Sequence, residues 1–438
     1  MTNYHMLFAH LAVRHSTGAN LVLPGFDLLV LDEAHEAPSI SRDFFGFAVS
    51  EHTLTRLAAA AASMGNVPLA TVLRQEAAGL FRQLAAHRGE EATAALPAPS
   101  GDAKPVLDAL ERLRRHALTW ADAVRGDRRA LGTARMTVRH ATTAAERLAA
   151  ALEQPSPDKV TWLEADAKGR TVLLSKPADV SPTLRSLLFG SCESVSLVSA
   201  TLTTAGTFDF FRRQVGAPDH VRELVAETPF RFREQALLVV PQGAPDPNTP
   251  EYLHHLSRVF DDVLEACGGR TLGLFTSYRA LHAVRDHLAK SPWRILCQGD
   301  APRTELVREF RQDVRSVLLG TESFWTGIDV AGEALTAVVI DKLPFPSPAD
   351  PLIAALSQRD PRAFDTTLVP LAIIALRQGV GRLIRSKTDV GVVVIVDPRL
   401  ADRRYGRRFL RSLPAMYSTR DLKNIRPFLE EATRARRD

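Results

Sequence analysis

The sequence predicts an α/β fold with two lobes built on parallel sheets and an all-α segment inserted into the first lobe. Short apolar runs end in polar residues, as the run from Phe26 to Leu31 does before Asp32, and such runs are typical of buried parallel strands. Strand patterns then disappear in a region rich in Ala, Leu and Arg, and strands and helices alternate beyond residue 228. The predicted domains are residues 1–50 (first lobe), 51–158 (helical insertion), 159–227 (first lobe, continued) and 228–438 (second lobe).

The tetrapeptide Asp32-Glu33-Ala34-His35 stands where the first strand is expected to end. Ligands of open α/β sheets bind at the carboxyl ends of the strands. Adjacent carboxylates there suit Mg²⁺ chemistry, because one can hold the hydrated ion while the next accepts a proton from an attacking water. The alternative is a solvated acidic strand end, because four-residue motifs recur by chance.

The helical insertion is predicted from an amphipathic pattern. Apolar residues recur at alternating four- and three-residue steps, at Val106, Leu110, Leu113, Ala117, Trp120 and Val124. Residues 89–102 contain Pro, Gly and acidic residues and indicate a loop. Arginines of this region could meet a phosphate backbone, although a solvated helix face is the commoner reason for such a pattern. They are Arg112, Arg114, Arg115, Arg125, Arg128 and Arg129.

The chain then returns to strand patterns. Residues 160–163 and 171–174 flank a turn sequence and predict a hairpin. Ser181-Pro182 predicts a helix start, with the serine as the cap and the proline in the first turn. Residues 195–202 predict a buried strand that ends in Ser199-Ala200-Thr201, where hydroxyl residues usually cap the next turn.

The second lobe is predicted from strands and helices that alternate. One helix is expected over residues 253–266, ended by Gly268-Gly269, and another over residues 280–288. The predicted strands are residues 236–240, 271–275, 295–298, 317–319, 337–340 and 392–396.

Composition excludes several classes without identifying a function. With 438 residues, 45% hydrophobic and 24% charged, the chain has an ordinary globular balance. Its net charge of +5 mildly favours a polyanionic partner, but the excess is too small to identify one. Cys192, Cys267 and Cys297 have no paired spacing and indicate thiols in a reducing compartment. We find no apolar run long enough for a membrane span and no export signal, so we expect a cytoplasmic protein.

Several segments follow the Asp-Glu-Ala-His box in a fixed order. They are Ser199-Ala200-Thr201-Leu202, Leu274-Phe275-Thr276-Ser277-Tyr278, residues 320–330 around Phe324-Trp325, Asp341-Lys342-Leu343-Pro344-Phe345-Pro346, and Gln378-Gly379-Val380-Gly381-Arg382-Leu383-Ile384-Arg385. Together these segments resemble the motifs of the DinG/XPD-type iron–sulphur helicases of superfamily II, and the helical insertion between the second and third motifs also fits. The run Gln-x-x-Gly-Arg-x-x-Arg combined with Phe-Trp-x-Gly-x-Asp is more specific than the Asp-Glu-Ala-His box alone.

The resemblance implies two RecA-like lobes, the cofactors ATP and Mg²⁺, and roles in ATP hydrolysis. Asp32 should organise the Mg²⁺ shell, and Glu33 should orient and deprotonate the water. Arg382 and Arg385 should be arginine fingers that reach across the cleft to the γ-phosphate, because planar guanidinium groups match phosphate oxygens. Their spacing of three would place both on one face of a helix. Gln378 should close the cleft.

The resemblance also implies residues that couple hydrolysis to movement. His35 should link the hydrolytic site to Ser199 and Thr201. Asp329, together with Gly327, should contact the nucleotide, or Asp329 should brace the arginines.

A third group should bind nucleic acid. Ser277 and Thr321 should offer hydroxyls and neighbouring amides to the phosphates of a single strand. Trp325 could stack on a base, although an aromatic residue at a buried strand end is at least as often part of the core.

One element of this family has no counterpart in the sequence. A superfamily II motor needs a phosphate-binding loop, Gly-x-x-x-x-Gly-Lys-Ser/Thr, and none occurs; Gly268-Gly269-Arg270-Thr271 lacks the lysine. In the family this loop and the four cluster cysteines lie upstream of the segment that Thr2-Asn3-Tyr4-His5 resembles. We therefore expect the first lobe to be incomplete. The recorded start falls too late, another chain supplies the missing half, or the chain is a decayed relative without turnover.

The function predicted from these motifs is ATP-dependent unwinding of DNA in replication or repair, with the 5′-to-3′ polarity that the resemblance implies. The partner is single-stranded nucleic acid, DNA rather than RNA, and a chain carrying the phosphate loop is a further possible partner. We expect this chain by itself to have little or no ATPase activity. Two alternatives stay open: a non-hydrolysing nucleic-acid-binding protein, and a subunit completed in trans.

Overall fold

A computed structural model describes residues 1–96, 102–154, 156–325 and 335–434. The chain divides into two compact units. The first consists of Met1–Val198, Arg212–Asp219 and Ser347–Ala363, and the second of Ser199–Phe211, His220–Pro346 and Phe364–Asp438. In the part of the chain described, no helix is both long and apolar enough to cross a bilayer.

The first unit combines helices with two small sheets. Asn3 caps its first helix by accepting a hydrogen bond from the amide of Met6. The helices are α1 (Tyr4–Thr17), α2 (Ala37–Phe45), α3 (Glu51–Ser63), α4 (Val67–Arg88), α5 (Lys104–Ala123), α6 (Arg128–Leu152), α7 (Ser181–Leu184), the C-terminal part of α8 (Asp209–Val215) and, further along the chain, α14 (Pro351–Arg359). The strands are β1 (Leu28–Leu31), β2 (Phe47–Ser50), β3 (Thr93–Ala95), β4 (Lys159–Ala165), β5 (Thr171–Pro177) and β6 (Ser194–Leu197).

The helices predicted for residues 51–158 are present as α3–α6, and they share their core with an antiparallel sheet of order β2-β5-β4-β3. The predicted hairpin is confirmed as β4 and β5, paired from Lys159 opposite Pro177 to Ala165 opposite Thr171. Leu163 and Leu173 of this hairpin belong to the same apolar cluster as the helices. Part of the predicted loop 89–102 is wrong, because residues 93–95 pair with β4.

Two further predictions in this unit are corrected. Ser181 is the first residue of α7 and makes no cap; instead its amide and hydroxyl donate to the carboxylate of Asp179, at 2.8 and 3.0 Å. The predicted strand 195–202 ends at Leu197 as β6 and is not buried throughout, since its residues alternate between exposed and half-buried.

Strands β1 and β6 form a parallel sheet of only two strands, with Leu28 opposite Ser194 and Leu31 opposite Leu197. The strand before Asp32 was predicted to be buried, and this prediction is wrong for one of its faces. Leu28 and Val30 are 71% and 68% exposed, whereas Leu31 is 5% exposed. Alternate residues of a strand point to opposite faces, so one face of this small sheet is covered and the other lies open.

The second unit contains a seven-stranded parallel sheet of order β13-β7-β12-β11-β8-β10-β9. Its strands are β7 (Ala236–Val239), β8 (Thr271–Leu274), β9 (Arg294–Cys297), β10 (Ser316–Gly320), β11 (Ala337–Ile340), β12 (Gly391–Ile395) and β13 (Tyr417–Thr419). Its helices are α9 (Phe232–Gln235), α10 (Pro250–Cys267), α11 (Tyr278–Leu288), α12 (Arg303–Gln312), α13 (Glu322–Trp325), α15 (Val369–Val380), α16 (Arg399–Asp402), α17 (Gly406–Ser412) and α18 (Ile425–Arg434).

The six strands predicted for this lobe are confirmed, and β13 is an additional edge strand. Helix α10 ends as predicted at Gly268, whose φ of 68° is a left-handed conformation that favours glycine. Both faces of the sheet are covered. Val338 and Ile340 of β11 pack in one apolar cluster with α12 and α15, while Ala337 and Val339 pack in another with α10 and α11. This is the doubly wound arrangement expected from the alternating pattern.

Candidate functional site

The Asp-Glu-Ala-His box lies in a tight turn that follows β1 directly. Asp32 and Glu33 are exposed, and the amide of Glu33 donates to Asp32 Oδ1 at 3.0 Å. Glu33 has a φ of 49°, a left-handed conformation that costs a residue with a side chain about 1–3 kcal/mol. The turn thus presents two adjacent carboxylates to solvent at a strand end, which is the placement predicted from the sequence.

Two neighbours brace this turn. The Tyr4 hydroxyl on α1 donates to the backbone carbonyl of Asp32 at 2.8 Å, a contact that no motif predicted. Burial, followed by the charges of Glu36, Asp32 and Glu33, raises the pKa of Tyr4, so the hydroxyl stays a donor. His35 is 10% exposed and lies with Nδ1 3.3 Å from Glu33 Oε2. Burial lowers the pKa of His35 despite the nearby carboxylates of Glu33 and Glu36, which favours neutral imidazole.

The turn is also tied to the neighbouring strand end. The amide of Ala34 donates to the carbonyl of Val198 at 3.0 Å, and Val198 is the last residue of the first unit before Ser199. In the second unit, the Ser199 and Thr201 hydroxyls lie 3.3 Å apart, and the Thr201 amide donates to Ser199 Oγ at 3.3 Å.

Arg377 is a residue of this site that sequence reasoning missed. From α15 its Nη1 donates to the carbonyl of Thr203 at 2.6 Å and to its hydroxyl at 3.1 Å, and its Nη2 donates to the carbonyl of Ala200 at 2.7 Å. Burial lowers the pKa of Arg377. The guanidinium thus fixes the Ser199–Thr203 segment to the helix that carries Gln378 one residue later. Its position immediately before Gln378 is the one sequence signal that could have drawn attention to it.

The arginines of the last motif do not share a helix, so the prediction of one helical face is wrong. Helix α15 ends at Val380, and Arg382 and Arg385 lie in the loop that follows. Arg382 is half-buried and donates through Nε and Nη2 to the carbonyl of Trp325, at 3.2 and 3.0 Å. Gly381 ends the helix, so the loop and not the helical repeat sets the direction of each arginine.

A buried carboxylate shapes this arginine loop. Asp389, 8% exposed, accepts through Oδ2 from the amides of Arg385 and Ser386, both at 2.7 Å, and through Oδ1 from the Ser386 hydroxyl at 2.8 Å. The side-chain amide of Gln235 donates to the carbonyls of Asp389 and Ser386, at 2.9 and 3.0 Å. Arg385 itself is exposed at the surface of the loop.

Trp325 lies in the core. It is 4% exposed, and its indole N–H donates to the carbonyl of Phe275 at 3.3 Å. Gly379 of α15 packs against the ring so closely that a Cβ there would lie 3.0 Å from it. Trp325 is therefore part of the core, which is the alternative to base stacking. Its backbone carbonyl accepts the hydrogen bonds of Arg382.

The predicted phosphate-binding hydroxyls lie at strand ends of the second unit. Ser277 caps α11, accepting from the amide of Ala280 at 3.3 Å. Thr321, 8% exposed, donates through its amide and hydroxyl to Gln298 Oε1, at 2.7 and 3.0 Å. Gln298 in turn donates to the Tyr278 hydroxyl at 2.7 Å, so it links the two motif segments. Gly327 and Asp329 lie outside the described residues.

A small polar cavity of about 180 Å³ lies beside Ser277. Arg279 and Lys342 line it together with the carboxylate of Asp341, which is 1% exposed. That carboxylate accepts from the amides of Thr276 and Lys342, at 3.0 and 2.6 Å. Burial outweighs these donors and raises the pKa of Asp341 to about 7. The cavity combines two cationic side chains with a helix N-terminus, an arrangement that suits a phosphate.

Comparisons with known proteins show which family and fold this chain resembles. The family model for the helicase C-terminal domain matches residues 260–416. The chain is 32% identical to a Haemophilus influenzae protein named ATP-dependent DNA helicase YoaA, over 98% of this chain and 68% of that protein. It is 36% identical to a Mycobacterium tuberculosis protein named ATP-dependent helicase DinG, over 66% of this chain and 46% of that protein. The fold resembles S. tokodaii Xpd4, with a TM-score of 0.62 and 17% identity over 96% of this chain and 82% of that chain.

Proposed function

The chain belongs to the DinG/XPD-type family of superfamily II DNA helicases, and from that premise we propose that it acts in ATP-dependent unwinding of DNA. The observation that carries the proposal is the placement of the motifs. Asp32, Ser277 and Thr321 each follow the carboxyl end of a parallel strand, where α/β folds bind their ligands. Unwinding of forked DNA in the 5′-to-3′ direction, in replication or repair, is the specific form of this proposal.

Each motif residue has a proposed role. Asp32 would hold hydrated Mg²⁺ and Glu33 would take a proton from water, and both exposed carboxylates suit a cation that prefers oxygen ligands. Arg382 and Arg385 would bind the γ-phosphate, with Asp329 and Gly327 at the nucleotide and Gln378 beside it. His35, Ser199 and Thr201 would couple hydrolysis to movement. Ser277 and Thr321 would bind the phosphates of single-stranded DNA.

We further propose that additional polypeptide completes the nucleotide site. The sequence contains no phosphate-binding loop, and Leu28 and Val30 are exposed on a two-stranded parallel sheet. Parallel sheets are normally covered on both faces and have more strands than two. Polypeptide that carries a phosphate loop would extend this sheet with further strands, cover Leu28 and Val30 with a helix, and bring the missing lysine to the carboxylates of Asp32 and Glu33.

The chain's own cysteines do not fit an iron–sulphur cluster. There are three in the sequence, and Cys267 and Cys297 pack in one apolar cluster. Burial raises the pKa of these two thiols to about 12 and about 11, whereas iron binds thiolates. A cluster in the assembled helicase would therefore take its ligands from the completing polypeptide.

Binding of labelled oligothymidine, followed by fluorescence anisotropy across a salt series, tests the nucleic-acid part of the proposal. We expect Arg279→Glu, in the polar cavity beside Ser277, to weaken binding about tenfold and to reduce the salt dependence by about one phosphate contact. Lys290→Glu makes the same charge change beyond the other end of α11 and should have little effect. Equal losses for both variants, or no DNA binding at low salt, would contradict the proposal.

Steady-state ATP hydrolysis with oligothymidine tests the completion of the site. We expect the 438-residue chain to show no hydrolysis that is sensitive to Glu33→Gln, while DNA binding persists. Hydrolysis at a rate typical of helicases and abolished by Glu33→Gln would mean that the chain forms a full nucleotide site by itself. DNA binding that no added phosphate-loop chain makes nucleotide-dependent would favour the non-hydrolysing alternative.

A further inference from the structure

Two helices of the insertion, α3 and α6, pack only loosely against each other. Consecutive helices pack closely, as α3 does on α4 and α5 on α6, but α3 and α6 contact each other much less. A groove of about 450 Å³ lies between these two helices. This volume is in the range of sites that bind ligands, about 300–1,000 Å³.

Both walls of the groove present side chains at helical spacing. Met136, His140 and Arg147 of α6 lie four and seven residues apart, and Arg56 and Ala60 of α3 lie four apart. Residues at such intervals fall on one face of a helix. The side chains of the two helical faces that line the groove form ridges, and a further helix could pack between them.

The floor of the groove is apolar. Val49, Leu57 and Ala144 line it and are 1%, 6% and 4% exposed. Met136 stands at its opening with 51% of its surface exposed. A flexible, exposed methionine above an apolar floor suits contact with an apolar side chain, because methionine adapts its shape to what it packs against.

The charged residues that line the groove are both basic. They are Arg56 and Arg147, and none of the described lining residues is acidic. The Arg147 guanidinium lies 5.6 Å from the centre of the Phe47 ring. Within the described ranges, Arg56 makes no ion pair or side-chain hydrogen bond. An occupant with carboxylates would therefore meet a guanidinium that the protein has not already neutralised.

We propose that this groove is a docking site for an acidic amphipathic helix of a partner protein. Its apolar side chains, three and four residues apart, would cover Leu57 and Met136, and its carboxylates would pair with Arg56 and Arg147. The basic residues alone would also attract nucleic acid. The apolar floor favours the peptide, because a phosphate backbone gains nothing from Val49, Leu57 and Ala144.

The test uses the full chain and three fluorescein-labelled probes. The first is an amphipathic helical peptide of about 15 residues, with leucines at three- and four-residue steps and glutamates elsewhere. The second replaces each glutamate by lysine, and the third is an oligothymidine. Anisotropy should show binding of the acidic peptide at least about tenfold tighter than that of the basic one. Met136→Glu and Arg56→Glu should each weaken it about tenfold. Arg74→Glu, an exposed residue of α4 outside the groove, is the matched control.

Each other outcome decides against the proposal. If the acidic peptide does not bind, or binds equally to Met136→Glu, the groove is not its site. If Arg56→Glu weakens oligothymidine and leaves the peptide unaffected, the groove belongs to the nucleic-acid path. If sedimentation shows a dimer that Met136→Glu dissociates, the occupant is a second copy of this chain. Because these residues are exposed or line an open groove, circular dichroism should show that the variants fold normally.

Discussion

The two parallel sheets of this protein have strands of similar sequence pattern but differ in how far those strands are buried. In the second unit, β11 has all four residues buried, and apolar clusters cover both of its faces. In the first unit, β1 is an equally apolar strand of four residues, yet Leu28 and Val30 are exposed. An apolar run therefore indicates a strand that is suited to burial. Whether its side chains are buried depends on the elements that pack against it.

The difference extends to the functional residues at the strand ends. In the second unit, side chains such as Gln298, Arg377 and Asp389 hold the motif segments in place through several hydrogen bonds each. In the first unit, Asp32 and Glu33 are exposed, and the turn is braced through Tyr4 and Val198. The motif segments of the second unit are therefore held by their own side-chain hydrogen bonds, whereas the two carboxylates of the first unit are open to solvent.

The largest expected effect comes from one substitution made in both sheets. Leu318→Ala in β10, at a residue with no exposure, should lower the free energy of unfolding of the second unit by about 2–5 kcal/mol. Leu28→Ala in β1, 71% exposed, should change stability by less than about 0.5 kcal/mol. Denaturation followed by hydrogen-exchange mass spectrometry assigns each change to its unit. A large loss from Leu28→Ala would mean that β1 is already covered.

A smaller effect is expected from Arg377→Met, which keeps an apolar stem but removes the donors to Ala200 and Thr203. The carbonyls of exposed Ala200 and half-buried Thr203 would exchange a charged donor for water, at a cost of about 1.5–3 kcal/mol in total. We expect faster hydrogen exchange in residues 199–204 and little change in β9, which Arg377 does not contact. Arg404→Met, at an exposed arginine of the same unit, is the control. Unchanged exchange in residues 199–204 would show that their order does not depend on Arg377.

The smallest expected effect is a pH dependence of the stability of the second unit, which comes from buried Asp341. Burial raises the pKa of Asp341 to about 7, so the folded state binds its proton more tightly than the unfolded state. This contribution to stability is complete below the ordinary pKa of 3.8 and is lost as pH rises towards 7. Between about pH 5.5 and about pH 6.5, the second unit should lose about 1.4 kcal/mol. Asp341→Asn should flatten this slope, and an unchanged slope would assign it to other groups.

Much of the second unit could be predicted from the sequence, because its strands and helices follow local patterns. Residues 271–275 and 337–340 are apolar runs of strand length, and Gly268 ends a helix through its own conformational freedom. The motif residues could be found in the same way, because Asp32 and Ser277 each stand just after such an apolar run. In these places the information lies within a few neighbouring residues.

The contacts that place the site could not be predicted in this way. Arg377 is remote in sequence from Ala200, and Gln298 from Thr321, so only the folded chain brings these donors and acceptors together. The direction of Arg382 follows from a loop fixed by Asp389, whereas the spacing of the arginines alone predicted a helix. The sequence by itself determined which residue types the protein offers for nucleotide and DNA, and where six strands of the second unit lie. The tertiary structure decided which of these residues are held or buried, and which are left open as on β1, because burial and hydrogen bonding depend on distant neighbours.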